Sequence, residues 1–136
     1  MKIKYQIFKD KNLLVLKYLG NYSVDHFRKF ALQLIQEPEW KYVEKVLADY
    51  RETNPEAAVD KLEEIAKIRR EIIRKDVLVV FLVDKPSSTV PIHLYVEDLP
   101  DNNKYCSTLS RAIELLKIKE SVNHLEDILK NLNNSL

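Results

Sequence analysis

Glycine is almost absent from this sequence. Its 136 residues include a single glycine, Gly20, which follows an apolar run typical of a strand. Loops that cradle phosphate groups through backbone amides need several glycines close together, because only glycine lets the backbone approach so closely. The sequence therefore excludes nucleotide binding through a glycine-rich loop.

The sequence also has a single cysteine and almost no net charge. The one cysteine, Cys106, cannot form a disulfide within the chain, which agrees with a reducing compartment. The 22 Lys and Arg residues against 21 Asp and Glu residues leave a formal net charge of +1. That balance gives no electrostatic reason to expect a nucleic acid or an anionic membrane as partner.

Long apolar runs are missing as well. Residues Met1–Lys4 lead directly into an alternating strand pattern, without the apolar core of a signal peptide. No stretch is long and apolar enough to span a bilayer. We therefore expect a cytoplasmic protein that does not insert into membranes.

The sequence does contain an alternation of strand and helix patterns over the length of one domain. Apolar runs, alternating or continuous, predict strands at Lys2–Phe8, Leu13–Leu19, Lys45–Tyr50, Val77–Val83 and Lys104–Ser107. Capping residues and helical spacing predict helices at Ser23–Gln36, after Asn54-Pro55, at Thr108–Lys117 and over a final segment from Val122 to Leu132.

The connections decide how these strands pair. The first two strands are predicted to be antiparallel, because Lys9–Asn12 is too short for a crossover. Right-handed crossovers make the other strands parallel. The predicted fold class is α/β, with a single-layer, mixed and mostly parallel sheet of about five strands and helices packed around it. Residues 1–136 form one domain in this interpretation.

The helix after Pro55 has two predicted faces. Its inward stripe consists of Val59, Leu62, Ile65, Ala66, Ile72 and Ile73. The opposite face carries Glu63, Lys67, Glu71 and Lys75 at four-residue spacing. This spacing is typical of a solvated helix face with successive ion pairs.

The segment Pro86–Leu99 fits two predictions. A helix from about Pro91 to Asp98 would point Val90, Leu94 and Leu99 inward, and a strand would run through Ile92, Leu94 and Val96. We favour the helix, because a further strand here would break the alternation of strands and helices.

The C-terminal segment carries two expectations. The final amphipathic helix, with Leu125 and Leu129, is expected to pack on its own sheet rather than on a second chain. The protein is then a monomer or a weak homodimer. The tail at Asn133–Ser135 is expected to fray.

Polar side chains follow two neighbouring strands of the predicted sheet. The candidate partner-binding or ligand-binding residues are Asp49, Arg51, Thr53, Asn54, Ser87, Ser88 and Thr89. Open α/β sheets bind ligands at the carboxyl ends of their strands, where these groups are expected to converge. Asp49 and Arg51 also fit a local ion pair, and the hydroxyl groups fit helix caps.

No catalytic constellation is predicted. Cys106 and Arg111 lie one residue too close for the thiolate loop of tyrosine phosphatases, so Cys106 is predicted to be a buried core thiol. His26, His93 and His124 are scattered without metal-ligand spacing. We predict no metal, no cofactor and no enzyme activity, because no nucleophile–base pair is identifiable.

Several features in order resemble one known family. They are the strand and glycine of Leu13–Gly20, the capped helix from Ser23, the turn Glu37–Trp40, the strand ending Asp49–Arg51 and the closing segment Tyr105–Leu116. In this order they resemble the STAS domain family of sulphate transporters and anti-sigma-factor antagonists, in its small stand-alone, sporulation-antagonist-like branch. The resemblance implies a mixed sheet with surrounding helices and a signalling role with a regulatory protein partner.

The chain departs from that family at its phosphorylation switch. In the family, a serine at the start of the helix after the third strand can be phosphorylated. Here Asp49–Pro55 contains neither serine nor glycine, and Thr53 is the nearest hydroxyl and the phosphorylation candidate. A STAS-type interaction module is thus one hypothesis. The alternative hypothesis is a carrier of a small apolar molecule or lipid, similar in character to Sec14-like domains. Its pocket would lie beneath Pro86–Leu99.

Overall fold

The computed structural model describes residues 1–98 and 102–136, which form an α/β structure with helices on both faces of one sheet. Its strands are β1 (Lys2–Phe8), β2 (Leu13–Asn21), β3 (Lys45–Asn54), β4 (Leu78–Leu82), β5 (Asn103–Cys106) and β6 (Asn134–Ser135). Its α-helices are α1 (Val24–Leu34), α2 (Leu62–Ile68), α3 (Pro86–Asp98), α4 (Leu109–Leu116) and α5 (Val122–Lys130).

The described strands form one mixed sheet in the order β5-β4-β3-β2-β1-β6. Strand β1 runs antiparallel to both β2 and β6, whereas β2–β3, β3–β4 and β4–β5 are parallel pairs. The predicted α/β class and mixed sheet are confirmed. The sheet has six described strands rather than about five, with three parallel and two antiparallel strand pairs.

The two faces of the sheet carry different cores, because neighbouring side chains of a strand point to opposite faces. The aromatic layer lies under α1, α2 and α3 and is rich in tyrosine and phenylalanine. The aliphatic layer lies under α4 and α5 and is dominated by leucine and valine. In the aliphatic layer, Leu125 and Leu129 of α5 pack with Leu13 and Leu47. The prediction that the last helix packs on its own sheet is confirmed.

The C-terminal tail is ordered, so the prediction that it frays is wrong. Asn134 and Ser135 pair with Tyr5 and Lys4 of β1. The backbone amide of Ile3 donates to Leu136 O at 2.9 Å, and the Leu136 amide donates to Ile3 O at 2.8 Å. Strand β1 would otherwise expose an unpaired row of backbone groups, which the tail satisfies.

The prediction of a helix at Pro86–Leu99 is confirmed over Pro86–Asp98, but its inward face is different. Ile92 and Tyr95 are buried, whereas Val90 and Leu94 are 61% and 45% exposed. The helix begins at Pro86 rather than near Pro91, and Tyr95 docks edge-on against Phe81, which fixes its rotation. Leu99 lies outside the described residues.

The connection between β3 and β4 is less regular than predicted. It begins as 3₁₀ turns (Pro55–Lys61), continues as α2, and closes with a π-helical turn (Arg69–Ile73). Val59 is exposed rather than inward, because the tighter 3₁₀ turns and the non-helical Ala58 change the rotation of the chain. The π turn also breaks the predicted row of ion pairs, and Lys75 Nζ instead donates to Trp40 O at 2.8 Å.

None of the helices in the described ranges is long and apolar enough to cross a membrane.

Candidate ligand cavity

The predicted residues Asp49 and Arg51 form an ion pair that faces α5. Asp49 Oδ1 accepts hydrogen bonds from the Arg51 amide and Nε, both at 3.0 Å, and Oδ2 accepts one from Nη2 at 2.9 Å. Arg51 also contacts Glu126 of α5 at 3.2 Å. Asp49 raises the pKa of Arg51 above its usual range through these bonds. The pair is engaged in joining β3 to α5 and leaves little of its bonding capacity for a ligand.

Thr53, the phosphorylation candidate, is buried in the structure. Its side chain is 4% exposed, and its hydroxyl donates to Gly20 O at 2.6 Å across the β2–β3 pair. Gly20 has φ = +82°, a conformation that favours glycine. A kinase needs an accessible hydroxyl, so phosphorylation of Thr53 would require this end of β3 to open. A regulatory switch through phosphorylation of Thr53 therefore stays a prediction.

The variant Thr53→Asp is expected to lower the free energy of unfolding by about 2–3 kcal/mol, because a charged carboxylate replaces a buried, bonded hydroxyl. The control Thr53→Val removes only the hydrogen bond and should cost about 1 kcal/mol. Urea denaturation of both variants measures the difference. If Thr53→Asp were as stable as the wild type, the side chain at this position would not be buried as described. That result would support phosphorylation of Thr53.

Four of the predicted residues do meet at one polar groove of about 310 Å³. Thr53 and Asn54 line it from β3, and Ser87 and Ser88 line it from the start of α3. The other lining residues are Gly20, Asn21, Glu52, Glu56 and Lys85. Thr89 lies outside the groove and donates to Lys85 O at 2.8 Å. The convergence of β3 and α3 agrees with the sequence prediction, while Asp49, Arg51 and Thr89 do not take part.

A second site lies inside the aromatic layer and was missed by the sequence analysis. It is a cavity of about 50 Å³ between the sheet, α1 and α2. Apolar side chains form most of its wall, among them Leu14, Leu16, Phe27, Phe30, Val46, Ala48, Ile65 and Phe81. Polar groups are contributed by Tyr18, Tyr22, Trp40, Tyr50, Arg69 and Tyr95. We call this space the aromatic cavity.

The tyrosines of the aromatic cavity form a connected group. The ring centres of Tyr18 and Tyr50 lie 4.7 Å apart, and those of Tyr22 and Tyr50 lie 5.9 Å apart in a stacked arrangement. Burial raises the pKa of Tyr18, Tyr22 and Tyr50 well above the usual value, and the Tyr50 hydroxyl interacts with both others. These groups therefore stay protonated at neutral pH and remain hydrogen-bond donors.

Arg69 brings a positive charge to the same cavity. It is half-buried, at the start of the π turn, and its Nη1 donates to Tyr95 Oη at 3.4 Å and to Asn103 Oδ1. Among the described side chains of residues 1–97 and 102–136, no carboxylate lies within ion-pair distance of Arg69. Burial raises the pKa of Tyr18, Tyr22 and Tyr95, and the charge of Arg69 offsets part of that rise.

A smaller apolar pocket of about 20 Å³ lies beneath α3, beside the aromatic cavity. The two spaces share the side chains of Tyr22, Tyr50, Ile65 and Tyr95. Pro91 and Ile92 of α3 line the smaller pocket, together with Pro55, Ala58 and Leu62. This is the place at which the carrier hypothesis expects a pocket.

One signal in the sequence pointed to the cavity. Arg69 stands four residues after Ile65, so it falls on the buried stripe of the helix, where a charged residue is uncommon. Tyr18 and Tyr50 likewise occupy inward positions of two paired strands. A cation and several hydroxyl groups at inward positions indicate a polar site within a core.

Cys106 is a buried thiol, as predicted, and its Sγ donates to Thr108 O at 3.5 Å. Burial raises the pKa of Cys106, which keeps the thiol protonated and unreactive at neutral pH.

Comparison with known proteins assigns the chain to no family. No protein-family model matches it, and a search of curated proteins finds no match. The resemblance to the STAS family thus rests on the sequence features quoted above.

Proposed function

We propose that this protein is a non-enzymatic binding module for a small, largely apolar molecule held in the aromatic cavity. The observation that carries the proposal is the cavity itself, a concave space with apolar walls and polar groups from Tyr18, Tyr22, Tyr50, Tyr95 and Arg69. Ligand sites in proteins are typically concave and apolar, with a few placed polar groups.

The composition of the cavity wall supports this proposal over simple packing. Cores are close-packed, and a buried polar group is unfavourable unless it is hydrogen-bonded. Here the hydroxyls of Tyr18, Tyr22 and Tyr50 bond one another, and Arg69 bonds Tyr95 and Asn103, so the polar groups of the wall are held in place. They place polar groups beside a concave apolar space, as is typical of a ligand site.

The size of the cavity limits what it holds without movement. About 50 Å³ admits a few water-sized groups, so a larger ligand needs displacement of a neighbouring element. The covering segments are suited to this, because Ala58 interrupts the 3₁₀ turns and Pro91 interrupts the hydrogen bonding of α3. We expect the ligand to enter beneath α3.

Filling the cavity tests the proposal. Ala48 is buried in the wall, and Ala48→Leu is expected to occupy the void at a cost of about 1–3 kcal/mol in unfolding free energy. Ligands would be sought by thermal-shift screening of small apolar compounds and confirmed by calorimetry. Binding should be lost in folded Ala48→Leu.

The matched control is Ala57→Leu, which makes the same change at an exposed position. Its binding should equal that of the wild type. Unchanged affinity in Ala48→Leu would place the ligand elsewhere, and a folded wild-type protein that binds no compound in the screen would overturn the proposal.

A STAS-type protein-interaction module is the second candidate function, favoured by one observation. Val90 and Leu94 lie four residues apart on α3 and are exposed, and together they form a small apolar face suited to contact with a protein partner. Affinity capture with wild type and with Val90→Ser/Leu94→Ser tests this function. The variant should lose the captured partner, whereas Val122→Ser, at another exposed apolar position, should retain it.

A further inference from the structure

We infer that the ligand of the aromatic cavity is a small organic carboxylate, whose anionic group binds Arg69 while its apolar part lies among the aromatic side chains. This inference rests on the proposed function, because it specifies the chemistry of the ligand at the same site. Three observations carry it: the edge of the Arg69 guanidinium that has no acceptor among the described residues, the proton donors of the polar lining and the positive charge of Arg69.

The first observation is the hydrogen bonding of Arg69. Its Nη1 contacts the two acceptors already described, Tyr95 Oη and Asn103 Oδ1. For Nε and Nη2 the described part of the chain provides no acceptor. These two atoms form the edge of a guanidinium that grips a carboxylate through two parallel hydrogen bonds. Arg51 uses this same edge in this protein, with Nε and Nη2 on Asp49.

The second observation is the donor character of the lining. The polar side-chain groups at the cavity wall are the hydroxyls of Tyr18, Tyr22, Tyr50 and Tyr95, the Trp40 indole and the Arg69 guanidinium. Among the residues that the structure describes, the lining contains no carboxylate, no amide and no histidine. Phenols with a raised pKa donate, and an indole N–H only donates. The tyrosine oxygens also accept, as Tyr95 Oη does from Arg69, but every polar group of the wall carries a proton that it can donate to a carboxylate.

The third observation is the balance of charge. Arg69 supplies one positive charge to the cavity wall. A carboxylate brings one negative charge and is neutralised by it, whereas a phosphate monoester brings about −1.5 to −2 and would remain partly unpaired in apolar surroundings. The small cavity volume also favours the smaller, planar group. A carboxylate therefore fits better than a phosphate.

Matched pairs of compounds test the inference on the wild-type protein. Calorimetry would compare hexanoate, octanoate and phenylacetate with hexanol, octanol and phenethyl alcohol, which keep the apolar part and lack the charge. We expect each carboxylate to bind at least about tenfold more tightly than its alcohol. Equal affinities within the pairs would overturn the carboxylate inference and leave the proposed function standing. Absence of binding in both series would overturn both.

Variants at Arg69 identify the residue responsible. Arg69→Gln should lower carboxylate affinity at least about tenfold and leave alcohol affinity unchanged. Arg69→Lys keeps the charge but not the paired geometry, and should give an intermediate loss. The control is Arg70→Gln, because Arg70 is an exposed neighbour outside the cavity wall.

The outcomes at Arg69 are decisive. Wild-type carboxylate affinity in both Arg69 variants would overturn the inference, as would an equal loss in Arg70→Gln. Circular dichroism establishes that each variant is folded. If Arg69→Gln does not fold, Arg69→Lys and the wild-type comparison of acids with alcohols still decide the question.

Discussion

Replacing Leu125 by alanine is expected to lower the free energy of unfolding by about 3–5 kcal/mol, among the largest effects of any single substitution in this chain. Leu125 is fully buried in the aliphatic layer, where α5 meets Leu13 and Val15 of the sheet. Its truncation removes apolar contacts and leaves a cavity that the sheet cannot collapse to fill. Urea denaturation, followed by far-ultraviolet circular dichroism, measures the loss.

The control for this prediction lies on the same helix. Val122 is 42% exposed, so Val122→Ala should change the free energy of unfolding by less than about 0.5 kcal/mol. If both substitutions cost the same small amount, α5 does not depend on the sheet for its position.

The second large effect is expected at Asp49. Asp49→Ala should cost about 2–4 kcal/mol, because it removes the buried carboxylate that accepts three hydrogen bonds from Arg51 and leaves the partly buried guanidinium without its main partner. We expect a smaller loss of unfolding free energy than for a fully buried pair, because Arg51 is 25% exposed and keeps Glu126 as a partner. Denaturant unfolding at neutral pH provides the measurement.

A double-mutant cycle separates the pair from its surroundings. Asp49→Ala combined with Arg51→Ala should cost clearly less than the sum of the single changes, because neither charge is then left alone. Glu126→Ala, which removes a half-exposed partner, should cost less than about 1 kcal/mol. Strict additivity of Asp49 and Arg51 would show that the two side chains do not stabilise the fold as a pair.

The sequence predicted the regular parts of this fold because their signals are local. Strand β1 spans Lys2–Phe8 as expected, since alternating apolar residues mark a half-buried strand. The cap at Ser23 is confirmed, with its hydroxyl accepting from the His26 amide at 3.3 Å. Helix α4 begins after Thr108 for the same reason, because its hydroxyl accepts from the Arg111 amide at 3.2 Å.

The parts that sequence reasoning missed depend on distant contacts. The two residues of β6 are too few to form a pattern, and they are ordered only because β1 lies beside them. The rotation of α3 is set by Tyr95 docking on Phe81 of β4. Val90 and Leu94 look equally suited to the inward face in the sequence alone.

The candidate site was predictable only in part. Sequence order places Thr53, Asn54, Ser87 and Ser88 at adjoining strand ends, and the structure brings them into one groove. The aromatic cavity has only the weak signal of Arg69 on a buried stripe, because inward tyrosines on strands look like ordinary packing. A void arises from the sizes of side chains on several elements together, and a single sequence does not reveal it.

The pairing of β6 with β1 also determines how the sheet would respond to force. Ile3 and Leu136 exchange backbone hydrogen bonds at the open end of this antiparallel pair. A force that pulls these two residues apart acts along the hydrogen bonds between β1 and β6. It therefore breaks these bonds one after another rather than all at once. Strand β6 would detach first and at low force, while β1 keeps its seven residue pairs with β2. Mechanical unfolding would therefore begin by peeling the last strand from the first.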